Sequence, residues 1–302
     1  MPKAVKAHAL LVLITFIWGA TFVIVKNAVE HDASPLLFNF VRMAMAGAAL
    51  GILFHRDIPR ISRSSLIAGA LSVVFLWLGY EFQTTGLRLT TASKSAFITG
   101  LSVVLVPVLL GLFWRRKTTT WTALGVLAAL AGLFLLSVPA SESALGSWQR
   151  VNRGDLLTLG CALSFAFQII FLGRASERYP VAQIGFLQIA TAAVLMAITA
   201  PLLEQSHIAW SSRVVWALVL TSLLATAAAF TIQAWAQQFV SPTQTALILS
   251  LEPVFAWITS YVVLGERLGL RAGAGALLIL AGVLISELLG STAPVSASAA
   301  DA

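Results

Sequence analysis

Residues 241–256 read SPTQTALILSLEPVFA, and residues 91–106, 150 positions earlier, read TASKSAFITGLSVVLV. Ala96 falls on Ala246, Ile98 on Ile248, Leu101 on Leu251 and Val104 on Val254. The same offset lays LGVLAALAGLFLL over AGALLILAGVLIS, with Gly125 on Gly275 and Gly132 on Gly282, and sets Gln83 on Gln233. A shared offset with matched glycines is the mark of an internal duplication.

The solvent decides what such a duplication builds. The chain has 302 residues, 59% of them hydrophobic and 10% charged, against about 25% charged in a soluble domain. Its mean hydropathy is +0.91. Polar groups are too few to cover a water-facing surface, so the natural solvent is a bilayer. About twenty apolar residues cross its hydrocarbon core as a helix. The sequence divides into ten such stretches: 8–29, 35–54, 65–86, 92–113, 119–138, 155–178, 181–203, 213–236, 243–263 and 269–289. The joints, such as EHDASP, RRKTTT and GERLGLR, are short and carry turn or charge signals. None has room for a soluble domain. The first stretch is too long for a signal peptide and is followed by Lys26, Glu30 and nine more. The expected fold is an all-α integral membrane protein.

Five stretches per half is an odd number, so the second half enters the membrane from the opposite side. We therefore expect two inverted five-helix repeats, residues 1–145 and 146–290, with a small, polar, disordered tail over 291–302. Inverted repeats place a site near the bilayer midplane, between the halves, and alternate its access by rocking. With the N-terminus cytoplasmic, Lys and Arg of the first half lie inside by eight to three, which sets that orientation. The second half leans the other way, two to five. Ten spans return the C-terminus to the same side.

The net charge of +7 fits basic loops beside anionic lipid heads; its longest basic run, Arg115-Arg116-Lys117, has no interleaved aromatics and does not suggest nucleic acid. Cys161 is the sole cysteine, and the four histidines sit at span ends or in loops, so neither a disulfide nor a metal cluster is expected. No convergent acid, base or metal ligands appear at mid-depth, which argues against an intramembrane enzyme. No cofactor is expected. The expected partners are a small-molecule substrate and membrane lipid, with the chain working as a monomer.

Ionisable groups within spans cost several kcal/mol unless paired or hydrated. Glu252 lies near mid-depth of the ninth stretch, Glu81 toward the outer end of the third, and Arg42 in the outer half of the second. Pro253 lacks an N–H and would leave the Leu249 carbonyl without its helical donor. A kinked helix beside a polar cavity is one reading of this pair. The other is a Glu252 bonded to a neighbouring helix, with Pro253 setting the packing. Thr91, Ser95, Thr99 and Ser102 form a polar stripe on the fourth stretch. Trp18 with Thr21, and Phe165 with Gln168, place an aromatic and a polar group at mid-depth on paired helices. We expect Trp18, Thr21, Tyr80, Glu81, Ser95, Thr99, Phe165, Gln168 and Glu252 to line a substrate cavity. The small residues of LATAAAF in the eighth stretch, and the glycines, read as packing only.

The stretch SPTQTALILSLEPVFAWITSYVVLGERLGLRAGAGALLILAGVLI (241–285), with its Glu-Pro, its Gly265-Glu266 turn and its glycine-rich closing helix, resembles the drug/metabolite transporter superfamily in its ten-span EamA-like branch. FIWGATFVIVKNAV in the first stretch and FNFVRMAMAG around Arg42 carry the same resemblance. The first half departs from it, with Ser102-Val103 in place of Glu-Pro. The resemblance implies a bacterial inner-membrane secondary exporter of small metabolites and is greatest to the amino-acid exporters, with neutral or aromatic amino acids as substrates. The alternatives are a multidrug or organic-cation exporter, with Glu81 or Glu252 as counter-charge, and a proton-coupled antiporter of other metabolites.

Overall fold

The computed structural model describes residues 2–87, 89–90, 92–138, 152–264 and 269–290. Thr91, the Gly265-Glu266 turn, the 291–302 tail and the side chains of Lys26 and Lys94 lie outside the described residues. The described chain is helical, with one isolated antiparallel bridge between Ala33 and Ile208.

Helices α1 (Lys3–His31), α2 (Pro35–Leu53) and α3 (Arg63–Leu87) come first. The fourth expected span is two helices in succession, α4 (Ala92–Gly100) and α5 (Ser102–Trp114), followed by α6 (Thr120–Ser137). The second half opens with α7 (Arg153–Arg178) and α8 (Val181–Leu203). Next come α9 (Ser212–Ser222), a π-helical turn (Leu223–Ala228) and α10 (Ala229–Ala236), which together fill the eighth expected span. The ninth is again divided, into α11 (Pro242–Leu249) and α12 (Glu252–Leu264), before α13 (Leu270–Leu289).

Local chemistry explains several of these ends. Asn152 and Asp155 cap the start of α7 reciprocally, and Ser241 and Gln244 do so for α11. Thr119 accepts from the Thr122 amide at the head of α6. Among the described residues, nine helical stretches are long and apolar enough to cross a membrane. The stretch expected at 243–263 is not among them; it is divided into helices of 8 and 13 residues. Large apolar side chains such as Ile52, Leu112, Leu202, Val262 and Leu288 face outward, an arrangement suited to lipid and a liability in water.

The two divided spans break at matching places. Leu101 donates to the Ile98 carbonyl at 3.1 Å, and Leu251 donates to the Ile248 carbonyl at 3.1 Å. The chain tightens there by the same three-residue bond, 150 positions apart. Pro253 therefore does not kink a continuous helix. It stands in the first turn of α12, where amides have no intrahelical partner and proline is tolerated.

Other contacts follow the same offset. Gly125 meets Gly282, and Gly132 meets Gly275, so each glycine of α6 touches the offset mate of the other. At one end of the α2–α8 pair, Ser34 bonds His207 through three contacts of 2.7–2.9 Å. At the other end the Gln183 amide reaches the Asp57 carbonyl at 3.4 Å. Positions 33 and 34 map onto 183 and 184, and 57 maps onto 207.

Two apolar clusters make up most of the core. One joins Leu11, Ile14, Phe97, Leu133, Leu247 and Ile279; the other joins Met43, Leu76, Ile189, Met196 and Phe230. Trp18 packs against both.

The α6–α13 contact allows no side chain at its glycines. A Cβ on Gly132 would lie 2.5 Å from the Gly275 carbonyl oxygen. Gly132→Ala must push the helices apart, at about 1–3 kcal/mol, and lower the midpoint of thermal unfolding in detergent. Gly111→Ala, whose nearest neighbour would be at 3.7 Å, leaves that midpoint unchanged or higher.

Candidate functional site

Arg42 lies within α2, buried to 7% exposure. A guanidinium at that depth needs acceptors, and it finds them on other helices. Its Nε donates to Thr226 Oγ1 at 2.6 Å. Its Nη2 donates to Tyr80 Oη at 3.2 Å and to the Ala225 carbonyl at 3.3 Å. The guanidinium also stands 5.5 Å from the centroid of the Tyr80 ring, close enough for cation–π attraction.

The π turn supplies the second-half acceptors. A π turn widens the helix and re-aims its backbone, and such turns concentrate at functional places. Here Ala225 and Thr226 are in the middle of that turn. The Ala225 carbonyl also accepts the indole N–H of Trp18 at 2.7 Å. One carbonyl thus ties α1 and α2 to the α9–α10 span.

Aromatic rings surround this centre. The Trp18 and Phe230 rings lie 5.3 Å apart, and Phe165 meets Tyr80 edge-on at 5.8 Å. Gly79 makes room for Phe165, since a Cβ there would fall 2.6 Å from the ring. Thr99 Oγ1 lies 3.8 Å from the sulfur of the buried Cys161.

Glu252 is the first residue of α12. It lies within electrostatic reach of Arg42, Tyr80 and Cys161. No ion pair closes between Glu252 and Arg42; the ion pairs among the described residues are His8–Glu287 and Arg213–Asp32. Gly19 of α1 packs directly on the Glu252 carbonyl and the Ala256 amide, which fixes the head of α12. Trp18, Tyr80, Thr99, Phe165 and Glu252 each keep part of their surface accessible, while Cys161 and Thr226 are buried.

Trp18, Tyr80, Phe165 and Glu252 therefore surround Arg42, and Thr99 adjoins through Cys161. The other expected residues sit elsewhere. Thr21 bonds to its own helix at the Ile17 and Trp18 carbonyls. Ser95 is buried on α4. Glu81 turns toward α8, where Oε1 accepts from Thr199 at 2.7 Å. Gln168 joins a buried amide chain, donating to Gln188 at 3.4 Å, which donates in turn to the Phe230 carbonyl. Arg42 carried a sequence signal as a charge within a span. Thr226 and the Ala225 carbonyl did not, because a π turn has no sequence mark and their segment reads as small packing residues.

A separate hollow of about 610 Å³ is lined by Phe97, Leu101, Leu127, Leu130, Ala131, Phe134 and Leu135. It holds none of these polar groups. No cluster of three metal-binding side chains occurs among the described residues.

The sequence model of the EamA-like transporter family matches residues 5–138 and, a second time, residues 152–288. The chain belongs to the EamA-like transporter family. It is a multi-pass membrane transporter. An uncharacterized transporter of Archaeoglobus fulgidus is 34% identical, over 95% of this chain and 87% of the relative. The uncharacterized transporter YoaV of Bacillus subtilis is 23% identical, over 93% and 97%. An S-adenosylmethionine/S-adenosylhomocysteine transporter of Chlamydia trachomatis is 29% identical, over 67% of this chain and 64% of that protein. A solved crystal structure superposes with a TM-score of 0.77 at 17% identity, covering 94% of this chain and 98% of that one, and so shares the fold.

The bond from Arg42 to Thr226 holds a buried charge. Thr226→Val removes the acceptor of Arg42 Nε and should cost about 1.5–3 kcal/mol. Thermal unfolding in detergent should show the loss, and Thr226→Ser, which keeps the hydroxyl, should recover most of it.

Proposed function

We propose that this chain is a secondary transporter that exports neutral or aromatic amino acids and related small metabolites across the bacterial inner membrane by alternating access. Its ten spans form two inverted five-helix repeats, 1–145 and 146–290, with both termini cytoplasmic. The ninth span is the α11–α12 pair read end to end. The double family match, the matched helix breaks and the reciprocal glycine contacts all support that duplication.

The observation that carries the reading is the Arg42 cluster. It joins polar and aromatic groups from α1, α2, α3 and α7 to the π turn and to a broken helix, in the interior of the bundle. Broken helices and a site between repeats are how such carriers bind near the midplane. Trp18, Tyr80 and Phe165 offer flat apolar faces, Thr99 a hydroxyl, and Arg42 and Glu252 charge. Rocking of the halves would expose these groups to each side in turn.

A second reading has one specific support. The Chlamydia trachomatis relative is named for S-adenosylmethionine and S-adenosylhomocysteine, molecules with an amino-acid end and a flat adenine. The aromatic walls suit that shape too.

The test is counterflow in proteoliposomes. Saturable uptake of a labelled amino acid, accelerated by the same amino acid on the far side, marks a carrier rather than a channel. Trp18→Ala and Phe165→Ala should raise KM by about ten-fold or more, a loss of binding worth about 1.4 kcal/mol. Unchanged transport of every substrate in both Trp18→Ala and Phe165→Ala would sink the site assignment.

A further inference from the structure

Arg42 and Glu252 bring opposite charges to the same cluster, and each occurs once under the offset of 150. The position matching Arg42 is Ala192, and the position matching Glu252 is Ser102. One charge thus comes from each half. Duplication explains the frame around them and not the charges themselves.

Neither charge is consumed by the surrounding protein. Arg42 commits Nε and Nη2 to Thr226, Tyr80 and Ala225, while Nη1 has no acceptor among the described residues. Glu252 makes no hydrogen bond or ion pair among the described residues. Glu252 joins the cluster where Gly19, the neighbour of Trp18, packs on its carbonyl, and it forms no ion pair with Arg42. A carboxylate and a guanidinium held apart at this depth are costly unless something polar completes them.

We propose that a zwitterion completes them: the substrate's carboxylate takes Arg42 Nη1 and its ammonium takes Glu252. Its side chain then lies among Trp18, Tyr80 and Phe165. This rests on the carrier reading above and adds what the site selects. A molecule with only an amine leaves Arg42 Nη1 without an acceptor. A molecule with only an acid places a second anion before Glu252. The site therefore demands both ends at once, and rejects analogues by leaving one of its own buried groups unpaired.

The experiment uses the full chain in proteoliposomes and the amino acid that it moves best. Its decarboxylated and deaminated analogues are added as competitors of counterflow. In the wild type each one-ended analogue should compete at least about ten-fold more weakly than the amino acid. Glu252→Gln is nearly isosteric. It should weaken the amino acid about ten-fold or more and bring the deaminated acid level with it. Arg42→Lys should keep the preference for a carboxylate with lower affinity. Should Arg42→Lys fail to fold, the Glu252→Gln competition decides alone.

Equal competition by both analogues in the wild type would overturn the charge pair and leave the carrier standing. So would an unaltered preference in Glu252→Gln. No saturable counterflow of any amino acid by folded protein would overturn the carrier reading and this proposal together.

Discussion

A guanidinium cannot remain unpartnered inside a membrane, and much of the centre of this protein is arranged by that constraint. Arg42 sits within α2, where moving to water is not open to it. Its bonds reach α3 through Tyr80 and the π turn through Thr226 and Ala225. The same carbonyl holds Trp18 of α1. Each hydrogen bond to the charge contributes about 1.5–3 kcal/mol, more than one small-residue contact offers. The arginine thereby fixes where three first-half helices meet the second half. The π turn is the local adjustment that makes this possible, because it puts a hydroxyl and a doubly used carbonyl where both donors reach them.

Around that centre the frame obeys a simple rule. Helix breaks at Leu101 and Leu251, crossed glycines on α6 and α13, and loop contacts at opposite ends of α2 and α8 all relate by 150 positions. Close backbone approach at the glycines makes α6 and α13 one tightly packed unit. The broken helices are different. Each interrupts its own hydrogen-bond ladder beside the cluster, so each has a joint where the chain bends at little cost. Tight packing at one place and breaks at another would suit the rocking proposed above.

Much of this was legible in the sequence. Composition alone excluded a water-soluble domain. The apolar stretches fell within a few residues of the helices, because lipid imposes both a length and a polarity on each span. The glycines that matched in register proved to be glycines in contact. Trp18, Tyr80, Phe165 and Glu252 could be singled out because large aromatics and charges at mid-depth need a reason. What escaped was tertiary. Gln168 looked equivalent to the others by depth and Glu81 lay toward the outer end of its stretch, but helix rotation turned Glu81 to Thr199 and Gln168 to Gln188. The Glu-Pro pair suggested a kink, whereas the break precedes it. Thr226 was invisible, since its value depends on a π turn that no residue pattern announces.

The Glu-Pro pair then has a physical account that needs neither a kink nor a free carbonyl. Proline at the head of α12 gives up an amide that had no helical partner, so it costs the helix nothing there. Glu252 thus stands at a helix N-terminus, where the backbone dipole favours negative charge. In the first half, Ser102 begins α5 at the matching place without a charge. The joint is therefore a property of the shared frame, and the carboxylate is an addition to it. An addition made on one side only, in a cluster whose arginine also lacks a mate, polarises an otherwise pseudosymmetric frame and, under the carrier reading proposed above, would give it a head and a foot to distinguish in what it carries.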